Sequence, residues 1–230
     1  FFPHTTKMTN NKRKFQTNEE DEPPHKSQKI EDDNTLDHSI NILEPCKNGN
    51  LDLIKLLVER GVSLQERNEF GETCLMIACE NGHLEIVKYL LENGSDVDEK
   101  DEIGNNSLLS ASSNGHLDIV KYLVEAGCSL PDKKDDGWNC AHLAGRYGHT
   151  EIVKYLIDHD IEIGEKANDG WTCLHQASRY GYTEIAKYLI DRDAPLNERN
   201  NDGWTCLHLA SRYEHFDIVK YLLENGSDIN

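Results

Sequence analysis

The sequence predicts an all-α fold: a stack of repeated units, each with two short helices, preceded by a disordered tail. Three observations predict it. Asp136-Gly137-Trp138-Asn139-Cys140-Ala141-His142-Leu143-Ala144 returns 33 residues later from Asp169 and again from Asp202, and the register runs back through Gly104 and Gly71. Tyr89, Tyr122, Tyr155, Tyr188 and Tyr221, each preceded by Lys, keep the same step. Within each full period, two short apolar stretches are parted by a turn that in most units holds Gly. Self-similarity at a fixed period overrides local readings, because each unit buries its apolar face only against its neighbours.

Residues 1–36 read as a disordered tail. They hold Lys12-Arg13-Lys14, Glu19-Glu20-Asp21-Glu22, Pro23-Pro24 and Glu31-Asp32-Asp33, with almost no aliphatic residues to offset ordering entropy. Met8 is the earliest start residue, so 1–7 read as an upstream remnant. Lys12–Lys14 with Lys26 and Lys29 match a weak bipartite nuclear-import pattern; the plainer reading is a solvated charged tail. Residues 37–230 form the repeat domain. Its first unit, about 35–67, is degenerate: His38 replaces the turn Gly, Leu56 replaces Tyr, and Pro45 falls where the next unit has helical Ala78. Proline is tolerated only in a helix's first turn, so a shortened first helix is expected.

Residues 68–100 show the unit plainly. Thr73 is placed to N-cap a helix through about Glu80, and Gly82 supplies a left-handed stop. A second helix is expected from Leu84 to Glu92, burying Ile86, Val87, Leu90 and Leu91. Glu85/Lys88 and its equivalents Asp118/Lys121, Glu151/Lys154, Glu184/Lys187 and Asp217/Lys220 have pairing distance on its surface. Gly94 closes it. The later units span 101–133, 134–166, 167–199 and 200–230.

The pattern G-x-T-x-L-H-x-A…N-G-H-x-E-I-V-K-Y-L-L-E-N-G-S-D resembles the ankyrin repeat, whose length is also 33 residues. The resemblance is strong over 68–230 and weak over 35–67. It implies a curved ankyrin-repeat solenoid of stacked helix–turn–helix units with hairpin loops, which binds a protein through its concave groove and hairpin tips, as adaptor, scaffold or inhibitor. Departures from the family pattern are specific. Cys74, Cys140, Cys173 and Cys206 stand where the family has Pro at the first helical position. Unit 101–133 has Asn106-Ser107-Leu108-Leu109 and lacks both Thr and His, which puts its cap in doubt. Glu214 replaces the Gly of 82, 115, 148 and 181; Asp160 and Asp193 replace helix-ending Gly. Asn230 aligns with Asn197 inside a unit, so the sequence reads as a piece of a longer protein.

Net charge is -18, and the tail is nearly balanced, so the acidity belongs to 37–230. That argues against nucleic acid as partner and favours a basic or apolar protein segment. No apolar run approaches the roughly 20 residues that span a bilayer. Seven cysteines, four at one repeat position, fit a reduced intracellular protein with buried thiols, cytoplasmic or nuclear. A monomer is expected. Catalytic signatures are missing, so no enzyme and no cofactor is expected; Cys140/His142, Cys173/His175 and Cys206/His208 lack paired metal-ligand spacing and read as packing and capping residues. His83, His116 and His149 read as hydrogen-bonding turn residues.

The candidate binding residues are Trp138, Trp171 and Trp204 with the pairs Arg146-Tyr147, Arg179-Tyr180 and Arg212-Tyr213. Trp, Tyr and Arg are the residue types of interface hot spots. Two readings stay open: a binding row in the groove, or a structural ladder with each Trp stacked on Arg. The alternatives for the whole chain are a regulatory domain of a larger enzyme or channel, and a nuclear regulator.

Overall fold

In a computed structural model, which describes residues 41–130 and 132–229, the described chain consists of short helices joined by turns and loops. The tail, its import pattern and His38 lie outside the described residues. Twelve helices are described: α1 Leu43–Asn48, α2 Leu51–Glu59, α3 Cys74–Glu80, α4 Leu84–Glu92, α5 Ser107–Asn114, α6 Leu117–Glu125, α7 Cys140–Tyr147, α8 Thr150–Asp158, α9 Cys173–Tyr180, α10 Thr183–Ile190, α11 Cys206–Arg212 and α12 Phe216–Glu224. They form six pairs. The odd-numbered helices pack on one another in sequence as one layer, and α4 to α12 of the even set form a second. Strand pairing among the described residues is limited to the isolated bridges Arg67↔Thr73 and Lys133↔Asn139.

Helices α2, α3, α5, α7, α9 and α11 start where the side chain of the preceding residue satisfies an orphan amide. Thr73 Oγ1 accepts from Met76 N at 3.3 Å, as expected. Unit 101–133 is capped too, by Asn106, whose Oδ1 accepts from Leu109 N at 2.9 Å while its Nδ2 donates to Asp132 at 3.0 Å. The loss of Thr and His is thus made good by an asparagine. Helix α1 is short, six residues, with Pro45 at its third position, inside the turn whose amides have no intrahelical partner.

The core is a column of repeated aliphatics: Ile54 and Leu57; Ile86, Val87 and Leu90; Ile119, Val120 and Leu123; Ile152, Val153 and Leu156; Ile185 and Leu189; Ile218 and Leu222. Each such side chain contributes about 1.5–3 kcal/mol. Leu91, expected in this stripe, is only half-buried, because the stripe is narrower than predicted. Of the surface pairs, Glu85–Lys88 (2.7 Å) and Glu151–Lys154 (2.9 Å) form. Lys121 and Lys187 instead lie over the rings of Tyr155 and Tyr221 in the following unit, at 5.7 and 5.3 Å. A neighbouring ring one repeat away competes with the local carboxylate.

The loops are tied unit to unit. Glu102 N donates to Phe70 O, Asp135 N to Ile103 O, Asn168 N to Asp136 O and Asn201 N to Asp169 O, at 2.9–3.3 Å. Beside them runs a ladder of ion pairs: Arg67–Glu99, Lys100–Asp132, Lys133–Glu165 and Lys166–Glu198. His83, His116, His149 and His215 donate from Nε2 to the carbonyls of Lys47, Glu80, Ser113 and Arg179 at 2.9–3.0 Å. The turn histidines therefore join units 68–100, 101–133, 134–166 and 200–230 each to the one before; unit 167–199 has Tyr182 at this position. No helix among the described residues is long and apolar enough to cross a membrane.

Candidate protein-binding face

The three tryptophans each follow a glycine at φ 80–84° and close a loop whose first amide donates to the Trp carbonyl: Lys134 to Trp138, Ala167 to Trp171 and Asn200 to Trp204. One residue later comes the N-cap, then a His at the helix's third position. His175 Nδ1 accepts from the Thr172 hydroxyl at 2.8 Å, and its Nε2–H donates to Glu198 O and Trp204 O at 3.1 and 3.2 Å. His142 Nε2 donates in the same way to Glu165 O and Trp171 O, both at 3.0 Å. Each imidazole thus caps its own helix and holds the next unit's loop. Burial pushes His142 and His175 below the usual imidazole range, since the charged ring is poorly solvated there.

Arginine one helical turn beyond each His completes the arrangement. The guanidinium of Arg146 lies 5.4 Å from the Trp138 ring centroid, Arg179 5.4 Å from Trp171 and Arg212 5.3 Å from Trp204. Arg146 also meets the ring of Tyr147; Arg179 meets Tyr180 and, across the repeat boundary, Tyr213. Trp138 and Trp171 are each 8% exposed and Trp204 is half-buried, whereas Tyr147, Tyr180 and Tyr213 are 50%, 41% and 42% exposed. The nine candidate residues do come together. The tryptophans lie beneath, the arginines rest on them, and the tyrosines face solvent.

The sequence reading missed the other end of this face. Repeat by repeat, the Trp position reads Glu72, Asn105, Trp138, Trp171, Trp204, and the Arg position reads Lys47, Glu80, Ser113, Arg146, Arg179, Arg212. The loop-tip position reads Phe70, Ile103, Asp136, Asp169, Asp202. Phe70 and Ile103 are 62% and 56% exposed. Glu44, Glu72 and Glu80, with Lys47, Asn81 and Phe70, line a cleft of about 330 Å³ between the first loop and helices α1 and α3. The signal was legible: two apolar residues at a position that is aspartate in the last three units.

The thiols are sealed. Cys74, Cys140, Cys173 and Cys206 sit at the first helical position and are 0–3% exposed. All seven cysteines are free and buried. Burial pushes the thiols of Cys140, Cys173 and Cys206 up to about 12, so they carry no reactive thiolate. Among the described residues no group of three His, Cys, Asp or Glu side chains converges to hold a metal ion.

The family model for ankyrin repeats, in three copies, matches residues 43–134 and 142–230. Among solved structures, an ankyrin repeat domain from Acinetobacter baumannii AYE is 29% identical, with a TM-score of 0.71, over 81% of this chain and 98% of its own. The ankyrin repeat domain of human ASB11 is 25% identical, with a TM-score of 0.76, over 83% of this chain and 86% of its own. No curated protein sequence matches the chain. The repeat register, the His-capped helices and these matches agree: the chain belongs to the ankyrin-repeat family.

Proposed function

We propose that the chain binds an extended protein segment along the face formed by the hairpin loops and the first helix of each pair, acting as an adaptor, scaffold or inhibitor. Ankyrin repeats are generally protein–protein interaction modules. The observation that carries the reading is the tyrosine row. Tyr147, Tyr180 and Tyr213 are exposed at one-repeat steps; Tyr147 lies against Arg146, and Tyr180 and Tyr213 both lie against Arg179, each of these arginines resting on a tryptophan. A rigid, amphipathic ring in a fixed position contributes contact area with little entropy loss on binding. The exposed Phe70 and Ile103 and the acidic cleft beside them support an apolar, basic element in the partner. A quantitative pull-down with wild type against a Tyr147→Ala/Tyr180→Ala/Tyr213→Ala variant tests it. Partners should be lost while the melting temperature stays within a few degrees; retention of every partner would move the binding site off this face.

A further inference from the structure

The face changes chemistry halfway along, and the change is a step. In the first two units it presents Glu44, Glu72 and Glu80 against the single Lys47. The third unit is neutral, with Asn105, Ser113 and Asn114 at the three repeat positions that carry Trp, Arg and Tyr later. The last three units present Arg146, Arg179 and Arg212. These arginines matter because of what they do not touch. The ion pairs among the described residues engage Arg67, Arg192 and lysines, and none involves Arg146, Arg179 or Arg212. In a protein of net charge -18, three arginines in a row without a carboxylate partner stand out.

Their geometry says what they can take. Each guanidinium lies against a Trp, and Arg146 and Arg179 against Tyr rings as well, which fixes the group and leaves N–H donors for a ligand. A fixed guanidinium fork matches a carboxylate in two-point fashion. Two of the three rim aspartates nearby are turned to their own loops: Asp136 and Asp169 accept from the amides of Trp138 and Trp171 at 3.1 and 3.2 Å. Packed helices lie about 8–10 Å apart, and an extended chain advances about 3.3 Å per residue, so acids at every third position would meet successive arginines.

We propose that Arg146, Arg179 and Arg212 form an anion-reading row that takes an acidic stretch of the partner, while the Glu44–Glu72–Glu80 cleft and Phe70 take a basic, apolar stretch. The groove is thereby polar along its length and fixes the direction of the bound segment. This rests on the groove reading above and goes beyond it by naming the charge order of the partner. It also narrows the expectation of a basic segment to the N-terminal half of the face.

The three tryptophans make the test direct, because they are the chain's only ones and all lie in the cationic half. The probe is a synthetic peptide of roughly 15 residues, with Glu at every third position of one half and Lys at every third position of the other, and Leu and Ser between. A spin label is attached at either end, and the three indole N–H signals are followed by NMR. The label on the Glu end should broaden the indole signals and the label on the Lys end should not. In fluorescence anisotropy, an all-Glu version should bind about ten-fold tighter than its Gln twin, and Arg179→Gln should remove that advantage. Equal broadening from both ends, or a Gln twin that binds as well as the Glu peptide, would overturn the proposal while leaving the groove in place. Peptides that bind without disturbing any indole or any groove residue would sink the groove reading itself. A thymidine oligonucleotide that binds tighter than the Glu peptide would mean the row reads nucleic-acid phosphate, and the proposal fails. The charge-order comparison uses the wild-type protein, so it stands even where Arg179→Gln alters folding.

Discussion

At the scale of single residues, the turn between the paired helices shows why glycine is required in some units and dispensable in one. Gly82 has φ 78°, and a Cβ built there would lie 2.6 Å from the His116 ring that bonds back to Glu80 O. Two constraints therefore act at once: the left-handed backbone and the closeness of the next unit's imidazole. Glu214 takes the same conformation, φ 61°, at the equivalent position in the last unit, where no following histidine is present among the described residues. Only the backbone term applies there. Glu214→Gly should accordingly stabilise the protein by about 1 kcal/mol in urea unfolding. Gly82→Ala should destabilise it by more than that, because the imidazole must move as well. Equal and opposite effects of the two changes would show that the ring contact contributes nothing. Burial sets the behaviour of the cysteines in the same local way. A first-turn position lowers a thiol's pKa, yet desolvation dominates at Cys140, Cys173 and Cys206 and takes them up to about 12. Bulky maleimides should label these three slowly in the native protein and at once in denaturant; fast native labelling of all three would contradict the burial.

At the scale of the element, the capped first helix is the unit on which pH acts. His142 and His175 are held below the ordinary imidazole value of 6.5 by burial. The unfolded chain then binds more protons than the folded one just below pH 6.5, so stability is complete above that value and falls as the pH drops through it. The carboxylates held low by partners, Asp158 and Glu198, lose their contribution only below their ordinary values of 3.8 and 4.5, so the two windows are separate. The melting temperature should therefore decline as the pH is lowered from about 6.5 toward 5. His175→Gln should be less stable at neutral pH but flatter across that window. A variant as steep as wild type would place the titrating group elsewhere. The helices themselves were legible in the sequence, because Thr73, Gly82 and the 33-residue step dictate where each begins and ends. The Asn106 cap was not, since asparagine's fitness depends on Asp132, 26 residues away and brought near only by folding. The depth of the tryptophans was hidden for the same reason. An aromatic after a turn glycine reads alike whether it faces solvent or lies under an arginine, and only the packing of Arg146 and Arg179 decides. Trp171→Ala should consequently lower stability by about 3–5 kcal/mol in addition to any effect on binding, so Tyr180→Ala is the cleaner probe of the face.

At the scale of the whole molecule, stability in a stacked array is a sum of unit terms and neighbour interfaces, so a unit with one neighbour is the weakest. The last unit shows what the missing interface would supply. His142 and His175 each donate to two carbonyls of the following loop, whereas His208 has no such acceptor among the described residues. Gly203 has open space where Gly104, Gly137 and Gly170 meet the next loop. Phe216, Leu223 and Ile229 are 74%, 42% and 79% exposed, and Leu223 and Ile229 border a mainly apolar cleft. Appending one further unit, a copy of residues 198–229 with polar residues on its outer face, keeps the 33-residue step, covers this surface and gives His208 the carbonyls equivalent to those of Glu198 and Trp204. The gain should appear as a higher melting temperature and as slower amide exchange in α12 than in the parent. In the parent, amides of Leu222 and Leu223 should exchange faster than that of Leu156, which lies between units that cover it on both sides. Equal protection of α12 and α8 in the parent would mean that the last unit already folds as firmly as the interior ones. The neighbour term would then be too small to set the order of unfolding.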